Sequence, residues 1–166
     1  MKSNVRKYTV IALTLIIVLT VCIIFSNSLK GPAESLEQSH SVGEVIRPIV
    51  DPDEKLTDEE YSFLVRKSGH FIEYAILGFE CAILAFILCE KLTLPGVIYS
   101  AFGCLFTADI DEFIQSFTER GSKVSDVLLD FCGALTGIAL GFALSYAVRY
   151  IYRKNSQKQT VNNDLS

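Results

Sequence analysis

The sequence predicts an all-α integral membrane protein, a four-helix bundle with an extracytoplasmic loop after its first helix. Three observations carry that expectation. Half of the 166 residues are hydrophobic, and the charged residues, 20% of the total, crowd between long apolar stretches. Those stretches have the length of helices that cross hydrocarbon. Basic residues flank the first and the last of them. Such patterning excludes a disordered chain, a coiled coil and a small disulfide scaffold. The formal charge of -4 and the absence of a basic cluster exclude nucleic acid as a partner.

Helix 1 is expected at about 8–25, where Tyr8 to Phe25 carries no charge and would be about 27 Å long as a helix. The run is long for the apolar part of a signal peptide, and no A-x-A-like site follows. Val21 before Cys22 is bulky for a lipoprotein signal, so the segment is read as an uncleaved membrane helix. The loop that follows contains Pro32, Pro48 and Pro52 and shows no long periodic pattern. Thr57 and Glu60 form a capping-box pattern that starts a helix near Asp58. Helix 2 crosses over about 68–89. Helix 3 spans about 94–117, its apolar part continuing helically past Asp109. Helix 4 spans about 126–148, with Ser125 as its N-cap. Residues 1–154 thus form one membrane domain, and 155–166 a polar tail expected to be disordered.

Four crossings bring both termini to one side. Lys2, Arg6, Lys7, Arg149, Arg153 and Lys154 place that side in the cytoplasm, and the acidic loop around Asp51–Glu60 outside. Arg66 and Lys67 run against this rule, but the short N-terminal flank carries more weight. All five cysteines lie within apolar runs and none has zinc-ligand spacing, so neither disulfides nor a cofactor nor a metal is expected.

The polar residues inside the apolar runs carry the functional signal. A charge at mid-membrane costs about 2.5–3.5 kcal/mol on insertion scales, so each needs a reason. On helix 2, Lys67, His70 and Tyr74 share a face about 60° wide, with Glu73 at its edge and Glu80 two turns below. Past helix 3, Asp111, Glu112 and Gln115 span an arc of about 100°. A turn is expected at Arg120-Gly121. On helix 4, Asp126 and Asp130 top a stripe of Gly133, Gly137, Gly141 and Ser145 at spacing four. Small residues at that spacing admit a neighbouring helix closely, so the stripe and both carboxylates should face the bundle interior.

Each feature also has a plain structural reading. A lone His70 is more often a hydrogen-bonded interior histidine, Glu80 pairs with a polar group or stays protonated, Arg66 snorkels, and the glycine stripe is packing. An ion-pair network competes with a binding pocket for Lys67, His70, Glu73, Tyr74, Glu112, Gln115, Arg120, Asp126 and Asp130. The convergence of three helices at one membrane face favours the pocket.

Two runs resemble the VanZ-like family. Arg66–Phe79, RKSGHFIEYAILGF, is similar to its R-K-x-x-H-F-x-x-Y-x-x-L-G element. Asp111–Gly137 is similar to its D-E-x-x-Q-x-F-x-x-x-R, D-V and G-A-x-x-G elements, and Phe25-Ser-Asn-Ser28 to its Ser-containing exit from helix 1. The matching positions are Lys67, His70, Phe71, Tyr74, Glu112, Gln115, Phe117, Arg120, Asp126, Gly133 and Gly137. Thr118-Glu119 stands where many members have Pro-Gly, and Asp130 where many have Asn, which implies a differently shaped loop and a more acidic pocket. The resemblance implies a bacterial plasma-membrane protein of a family named for a member associated with low-level teicoplanin resistance. It implies no reaction.

Three functional readings follow. In the first, the outward pocket binds a membrane lipid or a lipid-linked or peptidoglycan precursor headgroup: Lys67 and Arg120 hold phosphate while Glu112, Asp126 and Asp130 hold cationic or hydroxyl groups. Sensitivity to glycopeptides such as teicoplanin would fall. In the second, a membrane hydrolase or transferase acts on an amphiphile, with His70, Glu112 and Asp126 as candidate catalytic groups. A metal-hydrolase form would use His70, Glu73, Glu112 and Asp126, a weak zinc pattern. In the third, Glu80 and Asp130 carry protons in a transporter, for which four helices without a second half are few. The first reading is preferred and the second is its alternative.

Overall fold

The structure, a computed structural model, describes residues 3–53, 55–118 and 123–164, of which 3 and 158–164 as helical backbone alone. The described residues form five helices: α1 (Ser3–Ser28), α2 (Pro32–Val50), α3 (Asp58–Cys89), α4 (Leu94–Gln115) and α5 (Val124–Asp164). The predicted helices 1 to 4 correspond to α1, α3, α4 and α5. By length and composition α1, α3 and α5 can cross a membrane. The fourth expected span, α4, does not qualify on that measure, because its apolar stretch ends at Asp109 and Asp111 and Glu112 follow within one turn.

The capping box forms as expected: Thr57 Oγ1 accepts from Glu60 N–H at 3.3 Å, and Glu60 accepts from Thr57 N–H at 3.0 Å. It starts α3 at Asp58, ahead of the crossing expected from residue 68. Three expectations are corrected. The loop after α1 contains α2, whose buried side is Ser35, Ser39 and Gly43 while Leu36, Val42, Val45 and Ile49 face outward. The tail continues α5 to Asp164, since extending an existing helix adds a hydrogen bond for each residue fixed. Ser125 is no N-cap: α5 opens at Val124, two residues before the expected start, with the Lys123 carbonyl accepting from Asp126 N–H at 2.8 Å.

α3 is the central helix and packs on α5, α1, α4 and α2, while α4 also packs on α5 and α1. The core comprises Ile24, Tyr74, Leu77, Ala82, Cys104, Ala108, Ala134 and Ile138. Arg6 reaches from α1 to Glu90 at 2.9 Å and to the Leu88 carbonyl, so the start of α1 lies by the end of α3. α1 and α4 therefore run one way, α3 and α5 the other.

The parallel α3–α5 pair packs backbone to backbone, and the glycine stripe is the reason. A Cβ at Gly133 would strike the Phe71 carbonyl, one at Gly137 the Ala75 carbonyl, and one at Gly141 the Phe79 carbonyl and Ala82. Gly78 of α3 is in the same position against the Ala134 carbonyl. The two backbones meet in step, four residues at a time, which only residues without a Cβ permit. α2 is tied to α3 separately, by the Tyr61 hydroxyl donating to the Gly43 carbonyl at 2.9 Å and by Arg47 paired with Asp58 at 2.6 Å.

Candidate functional site

Ends of α1 and α4 and starts of α3 and α5 meet at one end of the bundle, and the polar residues collect there. Polar side chains inside an apolar bundle gain only when they meet one another, and two groupings result, with Glu73 and Glu112 at their margins.

The outermost is the ion pair of Lys67 on α3 with Asp126 on α5, at 2.5 Å, with each side chain about four-fifths buried. The Lys67 ammonium also lies 5.6 Å from the Phe63 ring centre. Arg66, Lys67, His70, Gln115, Lys123 and Asp126 line a cavity of about 110 Å³. Among the described residues it holds more positive than negative side chains, which suits an anionic group.

One turn deeper stands the second grouping. His70 Nδ1 is 3.8 Å from Asp130 Oδ1, and Asp130 is fully buried. Asp111 of α4 is fully buried beside them, and donor atoms of His70, Asp111 and Asp130 all lie within 4.8 Å of one another. Ser28 at the end of α1 donates its hydroxyl to Asp111 Oδ1 at 2.5 Å, and Gln115 donates to Asp111 Oδ2 at 2.9 Å. The Tyr74 hydroxyl lies fully buried within electrostatic reach of Asp111 and Asp130.

Glu73 and Glu112 stand to either side. Glu73 accepts from Asn27 at 2.6 Å and, with His70, Arg66, Ser35 and Ser39, lines a second cavity of about 120 Å³ between α2 and α3. Glu112 is buried and accepts from the Lys123 backbone N–H at 2.9 Å, which ties the end of α4 to the entry of α5. Glu80, mid-helix, takes the hydroxyl of Thr20 at 3.1 Å, the polar partner its position demands. Arg120 and the turn expected at Arg120-Gly121 lie outside the described residues.

Of the nine binding candidates, Lys67, His70, Tyr74, Gln115, Asp126 and Asp130 thus come together on three helices, with Glu73 and Glu112 at the margins. Sequence reasoning placed Asp111 on the right arc but left it out of the binding set. Its i, i+4 relation to Gln115, which here becomes a hydrogen bond, was the available signal. Ser28 was noted only as part of a motif, and nothing local marks it as a partner of a residue on α4.

Fold and site define a helical membrane protein with a buried polar cluster at one end of its bundle. A family model, VanZ/LLP1, matches residues 12–146, and the chain belongs to that family. No curated protein and no solved structure matches it.

Proposed function

We propose that this VanZ-like protein crosses the bacterial plasma membrane four times, α4 included, with both termini in the cytoplasm and the polar end of the bundle outside. There it binds the phosphate-bearing headgroup of a membrane lipid or lipid-linked cell-wall precursor, and so lowers sensitivity to glycopeptides such as teicoplanin. The observation that carries the reading is the cavity beside the Lys67–Asp126 pair, where Arg66 and Lys123 add positive charge at the bundle end. Anionic headgroups lie at that depth when the bundle is inserted. Lys67 supplies a point charge, and the guanidinium of Arg120 would add a bidentate fork.

The test uses the full chain in nanodiscs with a polyprenyl diphosphate as probe. Lys67→Met and Arg120→Ala should each weaken binding by about tenfold or more, one lost charged contact being worth roughly 1.5–3 kcal/mol. Unchanged binding in both variants refutes the reading. In cells, the same variants at normal abundance should show the teicoplanin susceptibility of a null strain.

The alternative, a hydrolase or transferase on an amphiphilic substrate, is favoured by one observation: His70 faces a buried carboxylate, Asp130, at the inner wall of both cavities. An imidazole so placed is a candidate general base. Turnover of a lipid-linked precursor by purified protein, lost in His70→Ala, would select this reading.

A further inference from the structure

We infer that His70, Asp111 and Asp130 form a binding site for one divalent first-row metal ion of the manganese or zinc kind. The site lies one turn inside the headgroup cavity and depends on neither reading above.

Three helices each contribute one donor: the imidazole from α3, one carboxylate from α4 and one from α5, with atoms all within 4.8 Å of one another. That separation suits ligands arranged about a common ion. Two fully buried carboxyl groups held this close repel each other in a water-poor interior unless positive charge lies between them.

A second observation is independent of the clustering. Both oxygens of Asp130 and the hydroxyl of Tyr74 are buried and accept or donate no hydrogen bond among the described residues. Buried polar atoms are otherwise paired almost without exception. Here both oxygens of Asp130, itself a member of the cluster, are such atoms, and the Tyr74 hydroxyl is another within electrostatic reach of Asp111 and Asp130. An ion there satisfies Asp130 directly, and Tyr74 either directly or through a metal-bound water.

The neighbours of Asp111 have the form of a metal site's outer shell. Ser28 and Gln115 each donate to one Asp111 oxygen, and Gln115 also donates to Ser28 at 3.3 Å. Those bonds fix the carboxylate plane and leave each oxygen a further lone pair. One nitrogen with two or three oxygens is a borderline donor set, which suits Mn²⁺ or Zn²⁺ and disfavours soft Cu⁺. Three protein side chains also leave coordination positions for water or a ligand oxygen.

The test uses the full chain in detergent, stripped with chelator and reloaded with Mn²⁺ or Zn²⁺ alone. Metal content is read after desalting, Mn²⁺ binding by electron paramagnetic resonance, and the unfolding midpoint with and without ion. One ion per chain and a midpoint that rises with ion concentration are expected. Asp130→Asn and His70→Gln should each weaken binding by about 100-fold or more, and Ser28→Ala, which only positions Asp111, by about tenfold. Glu90→Gln, an exposed position at the opposite end of α3, should bind as wild type. In the stripped protein Asp130→Asn should unfold at a midpoint no lower than wild type, since it replaces a buried carboxyl that accepts no hydrogen bond among the described residues, so a folded variant that has lost the ion is distinguishable from an unfolded one. Failure of the wild type to retain either ion, or retention undiminished in both Asp130→Asn and His70→Gln, overturns the inference and leaves carboxyls that share a proton.

Discussion

Replacing Gly137 with alanine adds one methyl group at the tightest point of the α3–α5 contact. The new Cβ would overlap the Ala75 carbonyl oxygen and press on the Phe79 nitrogen. Both are backbone atoms, so no rotamer change relieves the overlap and the two helices must part. Forcing an extra methyl group into a packed interior costs about 1–3 kcal/mol. Alanine's better helix propensity returns at most about 1 kcal/mol. The expected net loss is about 1–2 kcal/mol, a five- to thirtyfold fall in the folded ratio. Gly103→Ala is the matched control, because a Cβ at Gly103 meets nothing within 4 Å. It should be neutral or slightly stabilising. Reversible unfolding of the purified chain in mixed micelles, followed by circular dichroism as the SDS fraction rises, measures both. Equal stability of Gly137→Ala and Gly103→Ala would refute the claim that the absent Cβ atoms set the helix separation.

Other consequences are as direct. A double-mutant cycle with Lys67→Met and Asp126→Asn should return a coupling of about 1–3 kcal/mol in the same unfolding assay, and a value under roughly 0.5 would make the pair a mere surface contact. Thr57→Ala should cost about 1 kcal/mol and speed hydrogen exchange at Glu60 N–H while the middle of α3 stays protected; unaltered exchange would count against the cap. With the five native cysteines replaced, Asp53→Cys should react with a membrane-impermeant maleimide in intact cells and Arg153→Cys only after permeabilisation. The reverse pattern would invert the proposed orientation.

The parts legible in the sequence are those whose signal is local. Apolar run length gave α1, α3 and α5, Thr57 and Glu60 gave the start of α3, and the spacing of Gly133, Gly137 and Gly141 gave the inward face of α5 with Asp130 on it. α2 escaped because hydrophobic periodicity was the detector. Its buried side is Ser35, Ser39 and Gly43, small and polar, and its large apolar residues face outward, so the usual pattern is reversed. The continuation of α5 escaped because polar composition was read as disorder, whereas a helix already nucleated extends cheaply. In the site, pairs on one helix could be read, but those across helices could not. Spacing put Asp111 and Gln115 on one arc; only the fold brings Ser28, far away in the chain, onto Asp111.

The bare seam between α3 and α5 also acts as a set of teeth. Carbonyls of Phe71, Ala75 and Phe79 sit in successive notches at Gly133, Gly137 and Gly141, and the same step carries Lys67 to Asp126 and His70 to Asp130. Sliding one helix along the other cannot be gradual. It must jump a whole notch of four residues, about 6 Å, and such a jump would unmatch every charged couple at once. The glycines midway along the helices therefore keep the polar residues at the bundle end aligned, and a ligand of the proposed kind would find its recess already cut to one gauge.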